Sequence, residues 1–190
     1  MPKKINIYVI ILLDKLISFF FIIFFFPLLI IIFISLFFFN NREVFFISER
    51  VGFKNKQFKL IKFRTMKKNS NEEITKIGKI LRRTSLDELP QFINVLKGDM
   101  SIVGPRPYPM NILKNNVDLM DLSLRHNVRP GITGYSQVYF SGKKRTLKEK
   151  INYDIYFVKN YSVILYFYII IKTPITLIKR YFLNPTGKTL

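Results

Sequence analysis

The chain of 190 residues contains no cysteine, no tryptophan and one histidine, His126. Without cysteine there is no disulfide framework, no thiolate nucleophile and no Cys-ligated zinc, and one histidine excludes a His-rich metal site. Chemistry is left to carboxylates, hydroxyls and bases. Alanine is absent as well, while Ile, Phe, Lys and Asn abound. That compositional bias discounts part of the lysine excess as a sign of nucleic acid. Acid is scarce, with 12 Asp and Glu against 31 Lys and Arg, a net charge of +19. Charge of either sign is missing from Leu16 to Asn40, and the last 150 residues carry 28 bases against 11 acids. The expectation is an apolar N-terminal segment, residues 1–40, joined to a basic domain, residues 41–190, of ordinary single-domain size. The apolar content excludes disorder, and the length leaves no room for a multi-domain enzyme.

Residues 16–39 hold ten of the 20 phenylalanines. As a helix this run reaches roughly 36 Å, enough to cross a hydrocarbon layer of ~30 Å. It is too long for the apolar core of a secretory signal, and no small-residue cleavage site follows. Pro27 removes one backbone hydrogen bond and predicts a kink near Ile23–Pro27. A kinked spanning helix and a helix–break–helix that dips into one leaflet both follow. Bases flank both sides, Lys3, Lys4 and Lys15 before and Arg42, Arg50 and Lys54 after, which mildly favours both ends on one face.

Beyond the anchor, Val44–Ser48 and Phe58–Met66 read as an extended hairpin, with Lys62 and Arg64 on one face of the second strand. Ile74, Ile77, Ile80 and Leu81 have helical spacing and end in Arg82-Arg83. Leu89, Phe92, Ile93 and Leu96 repeat it, and Gly98 stops that helix. Leu113, Val117, Met120 and Leu124 mark a third helix, and Thr146 with Glu149 opens a fourth as a capping box. Residues 147–182 are rich in tyrosine and read as helices lying on a membrane surface or packing against the first segment. The fold class expected is α/β, mostly helical, with a short β-hairpin.

The densest run of functional side chains is Arg82-Arg83-Thr84-Ser85-Leu86-Asp87-Glu88-Leu89-Pro90-Gln91. Ser85 and Glu88 have capping-box spacing, which is the plain structural reading. Pro90 complicates it, and a helix starting near Pro90 instead leaves Asp87 and Glu88 just ahead of its N-terminus, where backbone N–H groups hold anions. Adjacent carboxylates cannot face each other across a sugar as glycosidase pairs do. They can share a hard cation such as Mg²⁺, and a carboxylate can accept a phosphoryl group. Arg82, Arg83 and Arg106 are candidates to offset the phosphate's charge.

Four ordered blocks run along the chain: Lys62-Phe-Arg-Thr-Met66, then Arg82-x-Thr84-Ser-Leu-Asp-Glu-Leu-Pro-Gln91, then Asn94-Val-Leu-Lys-Gly-Asp-Met-Ser-Ile-Val-Gly-Pro-Arg-Pro107, then Arg129-Pro-Gly-Ile-Thr-Gly134 with Gln137. In these blocks, over about residues 16–180, the chain resembles the bacterial sugar transferases, the monotopic phosphoglycosyl transferases of glycan assembly. The resemblance implies a re-entrant anchor broken near Pro27 and a small cytosolic domain with interfacial helices, on the cytoplasmic face of the bacterial inner membrane. It implies that Asp87 attacks a UDP-sugar, releasing UMP, and that polyprenol phosphate takes the sugar phosphate from the aspartyl intermediate. Asp87 and Glu88 become the catalytic pair and the ligands of Mg²⁺. Lys62, Arg64, Arg82, Arg106, Gln91, Arg129, Thr133 and Gln137 become substrate-binding candidates, with Thr84 and Ser85 as weaker support. Anionic lipids are implied partners, nucleic acid is not, and a homodimer is left open.

The chain also departs from the family pattern. Phe26 stands where a Ser precedes the anchor proline, Arg42-Glu43 where Gly-Pro follows it, and Asn55 at a loop glycine. After Gln137 the stretch Tyr139–Arg145 replaces Gly-Arg-Asn, leaving Lys143, Lys144 and Arg145 to supply the lost base. Tyr166 replaces an acid of the last amphipathic stretch, whereas Asp154-x-Tyr156 is kept. Two other readings stay open: a catalytically silent scaffold of glycan assembly, and a membrane-tethered nucleic-acid binder, which lacks a recognisable reading module.

Overall fold

A computed structural model describes residues 4–40, 42–67, 73–116, 123–140 and 146–183. The apolar segment forms one helix, α1, Lys4–Phe39, with Pro27 inside it. The expected helix–break–helix division is therefore corrected: the helix runs through the proline. Proline deletes only its own donor, and in an apolar stretch any further unpaired backbone group is expensive, which favours keeping the rest of the ladder.

One stripe of α1 is buried at Ile10, Asp14, Ser18, Ile32 and Leu36, with Phe21, Leu28 and Leu29 partly covered between them. The steps of three and four residues keep these side chains on a single face. Elsewhere α1 is bare: Phe20, Phe24, Ile31 and Phe38 are exposed. Only 11% of its most apolar window is buried inside the protein.

The hairpin is present as β1, Phe45–Val51, and β2, Gln57–Phe63, antiparallel with Phe45 opposite Phe63 and Val51 opposite Gln57. Asn55 in its turn has φ 61°, the left-handed conformation that an Asn tolerates where a Gly is common. Helix α2, Lys76–Thr84, is capped by Thr75, whose hydroxyl accepts from the Gly78 amide at 3.0 Å. Helix α3, Gln91–Lys97, starts after Pro90 and ends at Gly98 with φ 85°, as expected. Two further strands, β3, Ser101–Val103, and β4, Gly131–Thr133, pair in parallel. Three residues each, they are too short for alternation to reveal. Gly104 and Gly131 let the two backbones meet, since a Cβ on Gly131 would lie 2.0 Å from the Gly104 nitrogen.

Helix α4 is Met110–Asn116, so Val117 and Met120 of the third expected helix lie outside the described residues. Helix α5, Tyr135–Tyr139, follows β4 directly. The capping box at Thr146 and Glu149 opens α6, Leu147–Lys159, as its spacing predicts. Helix α7, Val163–Leu183, carries Pro174 inside it.

Three apolar clusters hold the elements together. The first joins Ile10 of α1 to Phe92, Met100, Ile102, Phe157, Tyr166 and Ile169. In the second, Ile32 and Leu36 of α1 pack on Val44, Phe63 and Leu81. The third packs Val51, Leu113, Ile151 and Ile155. Residues 1–40 and 41–190 thus share two of these clusters. Asp14 ties the helix down further: its Oδ1 accepts from the Ile102 amide at 2.9 Å and from the Tyr166 hydroxyl at 2.7 Å.

Candidate active site

Helix α2 ends because Ser85 takes a left-handed conformation, φ 58°, a rare state for a residue with a side chain. The chain then makes one tight 3-10 turn, Leu86–Glu88, before α3. The capping-box reading of Ser85 and Glu88 is corrected here. The Ser85 side chain makes no capping bond and its buried hydroxyl has no partner among the described residues, because the residue closes α2 rather than opening a helix. Leu86 and Leu89 on either side of the acidic pair pack against the second cluster, under the C-terminal half of α1.

The two neighbouring acids have different surroundings. Glu88 is held by Lys62 Nζ at 2.6 Å and Arg106 NH2 at 3.5 Å. Burial alone would raise its carboxyl, but the charges of Lys62 and Arg106 outweigh that and hold Glu88 down at about 2. Asp87 has no hydrogen bond or ion pair among the described residues. Burial first, and the Glu88 anion second, push its carboxyl from 3.8 up to about 6. Lys62, Arg82 and Arg180 pull the other way. The two acids are thus surrounded by Lys62, Arg82, Arg106 and Arg180, an excess of positive charge suited to phosphate. A free carboxylate in such a field can attack phosphorus, while its neighbour stays ionised.

Adjacent Asp87 and Glu88 are also the candidate metal ligands. No group of three or more His, Asp or Glu that could hold a metal occurs among the described residues. Mg²⁺ is bound through one or two carboxylates and fills its remaining positions with water and substrate phosphate, so this sparse oxygen donor set fits it.

Beside the turn opens a cavity of about 500 Å³, whose walls include Glu88, Arg106, Thr133, Gln137, Phe21 and Arg180. Of the sequence candidates, Asp87, Glu88, Lys62, Arg82, Arg106, Thr133 and Gln137 gather at the turn or the cavity. Arg82 is oriented by Thr65, whose hydroxyl accepts from Nε at 2.7 Å. The Thr133 hydroxyl meets that of Thr173 at 2.9 Å. Gln137 donates to the Ile132 carbonyl at 3.2 Å.

Three other candidates are placed elsewhere. Arg64 follows the last residue of β2 and turns to Glu43, 3.4 Å away, and to the Phe46 ring, so it parts from Lys62. Arg129 donates to the Gly98 carbonyl at 2.8 Å and ties the end of α3 to the start of β4. Gln91 is buried in the first turn of α3 and is not part of the cavity wall. Thr84 returns its hydroxyl to the Ile80 carbonyl at 2.8 Å, within its own helix. Lys143, Lys144 and Arg145 lie outside the described residues.

Two contributions escaped the sequence reading. The first is α7. Thr173, Thr176, Leu177 and Arg180 all face the cavity. Their spacing is one helical face, a signal that the tyrosines and aliphatic residues around it obscured. The second is a buried network behind Arg106. Arg125, fully buried, pairs with Asp154 at 3.0 Å and donates to the backbone carbonyl of Arg106. The Ser136 hydroxyl donates to Asp154 at 2.7 Å. Arg125 can only donate, so His126 Nε2 accepts from it at 3.2 Å and Nδ1–H donates to Asn55. Burial and the Arg125 charge push His126 down to about 4. The single histidine is therefore neutral near pH 7 and takes part in packing, while Asp154 holds up the loop that carries Arg106.

Residues 5–180 match the family described as bacterial sugar transferase. The chain is 40% identical over 148 residues to UDP-N-acetylgalactosamine-undecaprenyl-phosphate N-acetylgalactosaminephosphotransferase of Aeromonas hydrophila, covering 68% of this chain and 34% of that protein. It is 42% identical over 136 residues to UDP-glucose:undecaprenyl-phosphate glucose-1-phosphate transferase of Escherichia coli (strain K12), covering 63% and 29%. Exopolysaccharide production protein ExoY of Sinorhizobium fredii is 31% identical over 159 residues, 68% of each chain. The chain spans about a third of the length of the first two.

Proposed function

The chain belongs to the bacterial sugar transferase family, and on that premise we propose that it moves a sugar-1-phosphate from a UDP-sugar to a polyprenol phosphate. The observation that carries this reading is Asp87, without a hydrogen bond or ion pair among the described residues, beside a Glu88 locked to Lys62 and Arg106. In the first step an Asp87 carboxylate oxygen bonds to the phosphorus bearing the sugar. The bond from that phosphorus to the bridging oxygen breaks, and UMP leaves with the electron pair. In the second step an oxygen of the polyprenol phosphate attacks the same phosphorus. The carboxylate of Asp87 departs, and polyprenyl-diphospho-sugar is complete.

Glu88 stays ionised through both steps and fixes Lys62 and Arg106 around the transferring phosphate. Asp87 and Glu88 would hold Mg²⁺, which when bound neutralises phosphate charge and polarises the phosphoryl oxygens. The relatives named above differ in their sugar, so the donor is proposed only as a UDP-sugar.

The site works at the cytoplasmic face of the bacterial inner membrane, where nucleotide sugars and lipid phosphates meet. The stripe of α1 supports an anchor that stays in one leaflet. Ile10 and Leu36, near its two ends, both pack into the clusters of the basic domain, and a helix crossing the bilayer would carry one end away from it. The products suit an early membrane step of polysaccharide assembly.

The test is release of UMP by purified protein from a panel of UDP-sugars with Mg²⁺ and no lipid acceptor. One UMP per enzyme is expected as a burst, with radiolabelled sugar phosphate esterified to Asp87. Asp87→Asn should give no burst, Glu88→Gln very little, and EDTA should abolish it reversibly. Label found on another residue, or a full burst from Asp87→Asn, sinks the reading.

A further inference from the structure

The cavity beside Asp87 has two origins. One side is built by the domain: Arg106 stands on the loop after β3, its carbonyl gripped by buried Arg125. Another part of its wall is built by the helices with bare apolar surfaces. Phe21 comes from α1, and Thr173, Thr176, Leu177 and Arg180 from α7. The outer surface of α7 is apolar at the same level: Ile171, Ile175, Ile178 and Phe182 are exposed, at spacings that place them on one face. Helix α7 thus presents a threonine- and arginine-bearing stripe inward and an aliphatic stripe outward.

Charge pairing separates the cations. Arg106 is balanced by Glu88. Arg180 and Lys150 also line the cavity, and neither forms an ion pair among the described residues. Arg180 acts electrostatically on both Asp87 and Glu88. It is a half-buried guanidinium with no ion pair among the described residues, in the wall of a largely apolar cavity. A volume of about 500 Å³ lies within the range of ligand sites, about 300–1,000 Å³.

Resting on the phosphoglycosyl transfer reading, we propose that Arg180 binds the phosphate of the lipid acceptor, which enters along the seam between α1 and α7. A ligand with an anionic head and a branched hydrocarbon tail matches this wall: guanidinium for the head, Leu177 and Phe21 for the first part of the tail, and the bare helix faces for the rest in the bilayer. The donor, a soluble nucleotide, meets the domain side, where Arg106 is held. Arg180 orients the acceptor phosphate, whose oxygen forms the new bond to phosphorus while the Asp87 carboxylate leaves with its electron pair.

The experiment separates the two half-reactions in detergent with undecaprenyl phosphate. Arg180→Ala removes one of the four cations around the acidic pair, so the acceptor-free UMP burst should slow, yet still reach one UMP per enzyme, with the donor concentration for half-maximal rate changed less than about threefold. The undecaprenyl phosphate needed for half-maximal turnover should rise about tenfold or more, the loss of one charge-assisted contact. Arg180→Lys keeps the charge and should recover part of that, and it also serves if the alanine variant does not fold. Lys179→Ala, an exposed base one residue away that does not line the cavity, should leave the acceptor requirement unchanged. An Arg180→Ala or Arg180→Lys enzyme with the wild-type acceptor requirement overturns the proposal, as does a burst lost in parallel with turnover. If the unaltered chain gives no burst with any UDP-sugar, the parent reading falls and this one with it.

Discussion

Two clusters of charge meet at Arg106, one at its backbone carbonyl and one at its guanidinium, and they are built oppositely. Behind the loop, Arg125 and Asp154 form a sealed pair with essentially no exposure, one base to one acid, with Ser136 satisfying the second carboxylate oxygen. In front of it, four bases surround two acids, and one acid, Asp87, has no hydrogen bond or ion pair among the described residues. A closed pair of that kind holds geometry and has nothing to offer a ligand. An unbalanced one at a cavity edge is costly until something anionic arrives, which is why perturbed carboxyls mark functional sites.

The largest separation between the two clusters is in catalysis. Asp87→Asn should cut sugar-phosphate transfer by about 10³-fold or more in a protein that remains folded. Asp154→Ala should act the other way. It strands the Arg125 charge in the interior and should cost about 3–5 kcal/mol, read as a fall in melting temperature in detergent. Any activity loss should track the folded fraction. If Asp154→Ala melts like wild type, the sealed pair is not structural.

The next contrast lies inside the Leu86–Glu88 turn and depends on pH. Asp87 titrates near 6 in the fold and at 3.8 when free, so the fold prefers its protonated form. Its ionisation costs nothing below about pH 4 and is fully felt above pH 6, by about 1–3 kcal/mol. Asp87→Asn should therefore raise the melting temperature at about pH 8 and leave it unchanged at about pH 4. Glu88 has the opposite sign. Held near 2 against 4.5 when free, it contributes stability above pH 4.5 that is lost as pH falls toward 2. Glu88→Gln should lower the melting temperature at about pH 8. Equal shifts from the two substitutions would erase the contrast. The smallest effect is Ser136→Ala, which removes one hydrogen bond to Asp154 and should cost about 1 kcal/mol, visible in a urea titration.

The parts governed by local rules were legible in the sequence. The Thr146–Glu149 cap and the Gly98 stop depend on a few neighbouring residues and stand where expected; the hairpin is present, with strands Phe45–Val51 and Gln57–Phe63 in place of Val44–Ser48 and Phe58–Met66, and α3 takes the later of the two starts that the sequence left open. The acidic pair and its bases Lys62, Arg82 and Arg106 were legible through the ordered blocks. What failed depended on distant partners. Ser85 has the spacing of a cap but serves as the left-handed end of α2. Arg64 and Arg129 resemble phosphate ligands in sequence, yet Glu43 and the Gly98 carbonyl claim them. Pro27 signalled a break that one missing donor does not enforce. Arg180 was hidden because its importance comes from the packing of α7 across the cavity, which no local pattern records.

The carboxylate of Asp14 carries one last consequence. It grips a strand amide and the Tyr166 hydroxyl at once, so α1 can neither roll about its axis nor slide along it without breaking both. The exposed apolar side of α1 is thereby indexed to the acidic pair like a keyed shaft. Wherever the bilayer settles on those phenylalanines, the height of Asp87 above it is already decided.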